Sequence, residues 1–374
     1  MAIDKVTSAA ITDGTITSSD LASGTIANQS AFKNIVINGD MSQSQRSTSV
    51  SSISSGTAYD TVDRFSRNIG SGGTWTISQS TDVPTGQGFA KSLKMDCTTA
   101  NGGLSSNSEF VLRQNVEGQN LQYLKKGTSS AESTTLSFWV KSNKTGTYIC
   151  VLVDNDNSRQ ISQAYTISSA DTWEKKEITF AGDTSGAFGN DNGNSLTVGW
   201  WLVAGSDFTS GTLSTTWTSS TNANRVVGQV NLADSTSNEW YITGVQLEAG
   251  TAASDFEFLP RDVSFRRCQR YYYLHATAGQ ALGIMWWYQS GVNNTIMHFP
   301  TEMRSTPSVT AASGSGYYRV YIAGSITDFD SFSSLQESST HLATIDSGLS
   351  GTGGQSGRVK CNDAGGKIEF SSEL

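Results

Sequence analysis

Short alternations of apolar and polar residues, separated by turn-forming clusters, run along most of the chain. Leu136-Ser137-Phe138-Trp139-Val140-Lys141 alternates, the stretch from Leu196 to Val203 does the same, and Glu239 to Leu247 closes the series. A period of two places successive side chains on opposite faces of a strand. Gly, Asn, Asp and Ser clusters such as Asp154-Asn155-Asp156-Asn157 and Gly189 to Asn194 bound these runs as turns. No long helical period competes with them between residues 31 and 260, so the pattern predicts a large antiparallel β-sandwich. At Leu259-Pro260-Arg261-Asp262 the pattern breaks. Phe265, Cys268 and Tyr272 then stand three and four apart, which predicts a short helix capped by Asp262. Beyond it, Ala281 to Tyr288, Tyr317 to Ile322 and Lys367 to Phe370 return to strand patterning, so residues 261–374 read as a second, smaller β domain.

The first thirty residues follow another rule. Val6, Ile11, Ile16, Leu21 and Ile26 recur every five positions, with Ala9, Gly14, Ser19 and Gly24 each two positions before an apolar residue. Five is neither a helical nor a strand period. The spacing resembles the pentapeptide-repeat β-helix, but five units make only about one coil and cannot bury their own apolar row. Residues 1–30 are therefore expected to lie against copies of the chain or another protein, as a docking and oligomerisation segment.

Composition agrees with an all-β chain. Only 16% of the 374 residues are charged, 4 are Pro and 37 are Gly, and Ser plus Thr make up roughly a quarter. Apolar content is concentrated in large rings, 9 Trp, 12 Tyr and 15 Phe, which suffice to fill sandwich cores. The net charge of −8 repels phosphate backbones and anionic headgroups, so nucleic acid is not an expected partner. No apolar window approaches the roughly 20 residues of a spanning helix, and the start lacks a signal-peptide layout, so folding in a cytoplasm without membrane insertion is expected. Cys97, Cys150, Cys268 and Cys361 are widely separated and form no metal or redox motif; free, buried thiols are expected.

Several stretches, taken in order, resemble bacteriophage tail-fibre and related virion-fibre proteins. They are Asn34-Ile35-Val36-Ile37-Asn38-Gly39-Asp40, Gln45-Arg46-Ser47-Thr48, and Tyr59-Asp60-Thr61-Val62-Asp63-Arg64-Phe65. Ser137 to Ser142, Thr243 to Gly250 with Phe256-Glu257, Cys268-Gln269-Arg270-Tyr271-Tyr272, Pro300 to Pro307 and Phe370 to Leu374 follow. Met41 and Ser44 stand where the family tends to have aromatics, and Ser47 where it has Gly. The resemblance implies a carbohydrate-binding-module-like jelly roll followed by a small C-terminal β domain. It further implies a non-enzymatic, homotrimeric tail fibre that is assembled in the host cytoplasm and resides in the virion. Its N-terminus would bind other virion proteins, and its β domains would attach to host-surface glycans by multivalent binding. A head fibre or capsid decoration protein is the structural alternative, and a glycan depolymerase the enzymatic one.

Candidate chemistry is sparse. His275, His298 and His341 lack any catalytic spacing, and Asp60, Asp63, Asp154 and Asp156 are the acids available for a carboxylate pair. Asp154 and Asp156 also offer oxygens to calcium, without a complete calcium-loop pattern; no metal or cofactor is assigned. For glycan stacking, strand parity selects the rings. Trp200 shares a face with Leu196, Val198 and Leu202 and belongs to the core, which sends Trp201 outward. The same argument sends Trp139 outward from Leu136, Phe138 and Val140, and Trp287 outward from Leu282, Ile284, Trp286 and Tyr288. Trp139, Trp201 and Trp287 are thus the expected glycan or subunit-interface aromatics.

Overall fold

The computed structural model describes residues 32–332, 334–346 and 349–374, with residues 334 and 343–346 described by backbone alone. The five-residue row of Val6, Ile11, Ile16, Leu21 and Ile26 lies outside the described residues. The chain is nearly all β, in antiparallel sheets.

Two sheets face each other in the first part. One orders its strands Ser49–Ile53, Thr74–Ser80, Ser92–Thr99, Glu239–Ala249, Thr134–Ser142, Glu174–Phe180. The other runs Thr218–Ser219, Arg159–Ile167, Gly146–Asp154, Asn194–Ala204, Glu109–Glu117, Ser66–Gly70, Gly56–Ala58. Alternate residues of both meet in one core that includes Trp75, Phe110, Phe138, Trp200 and Trp240. Trp200 sits edge-on to Phe138, with ring centroids 6.0 Å apart. A register shift between Trp201 and Val203 lets Leu202 and Val203 both enter this core, which strict alternation forbids.

The helix forms over Arg261–Gln269, but Asp262 does not cap it. Pro260 holds the N-cap position, its carbonyl accepting from the amides of Val263 and Ser264, and Asp262 lies inside the first turn. There its charge meets the positive end of the helix without a capping bond. After the helix come a three-stranded sheet, Tyr272–Ala276, Ile368–Ser371, Ser308–Ala311, and a seven-stranded sheet that places Ala281–Gln289 between Ser356–Cys361 and Val292–His298. They enclose a second core containing Met285, Trp287, Tyr318, Val359 and Phe370.

The motif residues from both ends of the chain converge between the two cores. Asn38 donates from Nδ2 to the carbonyls of Gln43 (3.0 Å) and Asp63 (2.9 Å) and accepts from the amide of Gln43. A Cβ on Gly39 would stand 1.9 Å from the carbonyl oxygen of Val245, so only glycine permits this approach. Gln45 donates to Asp63 Oδ2 (2.8 Å) and to the carbonyl of Tyr272 (2.8 Å). The guanidinium of Arg46 lies 3.6 Å from the centre of the Tyr272 ring, and that of Arg64 lies 3.4 Å from the centre of Tyr271. Arg64 is fully buried and pairs with Glu373, while Tyr59 donates to the main-chain oxygen of Leu374. These residues form a latch that ties the opening loops of the sandwich to the helix exit and the last four residues.

Candidate functional site

The latch has an open side, and there the structure holds a cleft of about 880 Å³. Five separated stretches wall it: Phe32 to Ile37, Gln114 to Tyr123, the Asp191-Asn192 turn, Arg267 to Tyr271 on the helix exit, and Glu302 with Arg304. Strand Glu109–Glu117 runs into two short 3-10 turns, Gly118–Asn120 and Gln122–Leu124. Gly118 is required at this corner, because a Cβ there would stand 2.1 Å from the carbonyl oxygen of Gly189. The Gln119 amide donates to the carbonyl of Asp191 (2.9 Å), and Gln122 Nε2 donates to the carbonyls of Gly118 and Gly189 (2.9 Å each), so the turns are tied to the 189–194 loop.

Glu117 anchors the floor. It is fully buried and accepts from Arg270 Nε and Nη2 (2.8 Å each), from Gln119 and from the hydroxyl of Tyr271. Burial alone would raise its carboxyl, but the bonds from Arg270 and Tyr271 prevail and hold it below the usual range. Arg304 ties the far wall, donating from Nε to the carbonyl of Ser372 (2.6 Å), from Nη2 to that of Glu373 (3.1 Å) and from Nη1 to that of Asn192 (3.0 Å). Over this rigid floor the mouth presents exposed Asn120, Asp191, Asn192 and Glu302, and the ring of Tyr123, which is 49% exposed. A half-exposed ring beside amides and carboxylates suits a polyhydroxylated ligand: the ring covers an apolar sugar face while the planar polar groups read hydroxyls.

None of the three expected tryptophans lines this cleft. Trp139 is half-buried on the outer face of its sheet, between Lys175 and Thr243 in register, beside Gly244. Trp201 does leave the main core, but it is 4% exposed, covered by Phe208 (ring centroids 4.9 Å apart) and Val226 in a satellite core. The 205–226 segment folds back over that sheet face, so an outward direction does not give an accessible ring. Trp287 is a plain correction: it is 1% exposed in the second core, whereas Ile284 and Tyr288 are exposed. The register shifts between Ala281 and Gly283, which puts Leu282 and Trp287 on the same buried side and inverts the parity argument.

The acids that the sequence offers for a carboxylate pair or for calcium are each engaged structurally. Asp60 pairs with Arg67 at 2.8 Å, and Asp63 is buried under Gln45, with burial pushing its carboxyl up to about 6. Asp156 accepts from the amide of Gly189 (2.8 Å). Asp154 binds Lys126 Nζ, which also meets Asp183 Oδ2 (3.0 Å) and donates to the carbonyls of Ser185 (2.9 Å) and Gly186 (2.7 Å). Asp154 and Asp156 thus do not converge on one site, and Asp154 instead joins Asp183 and two carbonyls in a four-oxygen cage around an ammonium. His275 is held by the carbonyl of Leu282 and the hydroxyl of Tyr273, and burial lowers its pKa. The four cysteines are buried and form no disulfide with one another.

No family model matches the chain, and no curated protein does. Among solved structures it is similar to the enzymatically active domain of tailspike protein 4 of bacteriophage CBA120, at 14% identity and a TM-score of 0.32 over 59% of this chain and 22% of that one. It is also similar to a family 61 carbohydrate-binding module in complex with β-1,4-galactotriose, at 11% identity and a TM-score of 0.29 over 58% of this chain and 98% of that one. A putative sugar-binding protein of Bacteroides thetaiotaomicron matches at 14% identity and a TM-score of 0.29, over 58% and 99% of the two chains. At these scores the likeness decides neither the family nor the ligand of this chain.

Proposed function

We propose that the protein is a non-enzymatic glycan-binding virion fibre whose sandwich reads sugars in the cleft around Tyr123. The cleft carries this reading: it is open, walled by hydrogen-bonded turns, and it presents a half-exposed ring among amides and carboxylates. Such sites bind single sugar chains weakly, and several copies held at fixed spacing gain avidity through effective concentration. The ordered series of fibre-like motifs supports the placement in a virion, with residues 1–30 docking to other virion proteins and the β domains turned to the host surface as a homotrimer.

Calorimetric titration of the purified chain with soluble oligosaccharides tests the binding step. The expected result is saccharide binding that Tyr123→Ala weakens about tenfold, the effect of losing roughly 1.4 kcal/mol of ring contact. Binding untouched by Tyr123→Ala would move the site elsewhere. Light scattering of the full chain beside a version starting at Ala31 tests the assembly, with a trimer that dissociates on truncation as the expected outcome. Replacing Ile11, Ile16 and Leu21 together by Ser is expected to abolish incorporation into particles; unchanged occupancy would refute the docking role. Labelling at the capsid rather than the tail would favour a head fibre.

A further inference from the structure

Resting on the glycan reading of the cleft, we infer that its ligand carries an anionic substituent, a carboxylate or a sulfate, and that Arg267 is the residue that reads it. Arg267 on the helix lines the cleft and is half-buried. A guanidinium offers five donors in a planar fork. Here it makes one long bond, from Nη2 to the carbonyl of Asn34 at 3.4 Å, and no ion pair among the described residues. Arg270, less than one turn further on, is by contrast saturated by Glu117 through two 2.8 Å bonds.

No neighbouring acid reaches Arg267 as an ion pair among the described residues. Glu257 is near enough to favour its charge, but the oxygens of that carboxylate accept from the amides of Phe32 and Asn34 (3.0 Å for the latter). Asp191 accepts from the Gly193 amide (2.8 Å), and Glu302 from the Ser339 hydroxyl (3.4 Å); both are exposed at the mouth, where water and salt screen them. Burial lowers the pKa of Arg267, as expected of a desolvated cation whose neighbours do not fully repay it. An incoming carboxylate or sulfate in the cleft that Arg267 lines meets a donor fork holding only the one long bond to Asn34, and two parallel charge-assisted bonds can form.

The experiment titrates the intact chain with four probes: trigalacturonate, its methyl ester, neutral galactotriose and a sulfated galactotriose. The acid or the sulfate is expected to bind about tenfold or more tightly than the ester and the neutral trimer, with the advantage shrinking at high salt. Arg267→Gln should bring the charged-to-neutral ratio close to one, and Arg267→Lys should keep only part of it, since Lys holds the charge without the fork. The two charged probes tell which anion is read. An acid that binds no tighter than its ester, together with a sulfated trimer that binds no tighter than the neutral one, on the unaltered chain would overturn the inference without touching glycan binding, and so would a full preference surviving in Arg267→Gln. Failure of every probe, neutral and charged, would remove the glycan reading and this inference with it.

Discussion

Replacing Lys126 by Ala is the sharpest test of how the sandwich is held together. The ammonium sits between two buried carboxylates, Asp154 and Asp183, whose side chains are 0% and 3% exposed, and the carbonyls of Ser185 and Gly186. Asp183 keeps its two bonds from Arg159 (2.7 and 3.0 Å) in the variant, and the Asn157 amide and side chain still donate to Asp154 (3.1 and 2.9 Å). The loss therefore concentrates on Asp154, left charged and buried without its ion-pair partner. Breaking a buried pair in this way costs about 3–5 kcal/mol, and the surviving bonds place the expected loss near the lower bound, about 3 kcal/mol. Urea unfolding of the two proteins at pH 7 measures it. A deficit below about 1 kcal/mol would refute the account of the cage.

Other outcomes follow from the same structure. In Lys126→Ala the vacated cage offers four oxygens to a hard cation, so millimolar calcium should raise the melting temperature of the variant and leave the parent unchanged; equal responses would count against it. Asp63 is expected to titrate near 6 when folded against an ordinary 3.8. Its contribution is therefore fully present below pH 4 and lost as pH rises through 6, about 3 kcal/mol in all. The stability difference between the parent and Asp63→Asn should change by that amount between pH 4 and 7, and a flat difference would contradict the burial argument. Trp287→Ala should destabilise the second core by about 3–5 kcal/mol, whereas Trp139→Ala should cost about 1 kcal/mol, both read by denaturant unfolding. Comparable losses would mean that the bulge at Leu282 is misplaced.

Local pattern determined the fold class, because alternation and turn chemistry are properties of neighbouring residues. Phe138 and Trp200 are core residues for the reason parity gives, and the strands around them lie where the alternation runs. Parity fails where a single added residue flips a strand, as at Leu282, since a bulge leaves almost no trace in the sequence but reverses every side chain beyond it. It also cannot say what covers a face: Trp201 points away from the main core and is buried by Phe208 and Val226 from a segment downstream. The short motifs were legible as strings, but their work was not. Asn38, Gln45, Arg46, Asp63 and Arg64 meet Tyr271, Tyr272 and Glu373 only after more than 200 residues have folded between them. The cleft is the extreme case, for Tyr123, Asn192, Arg267 and Glu302 share no spacing and no pattern, and each alone reads as an ordinary surface residue. Sequence decides which strands form because that energy is local; tertiary structure alone decides the cleft and the cage of Lys126, because they depend on distances between segments far apart in the chain.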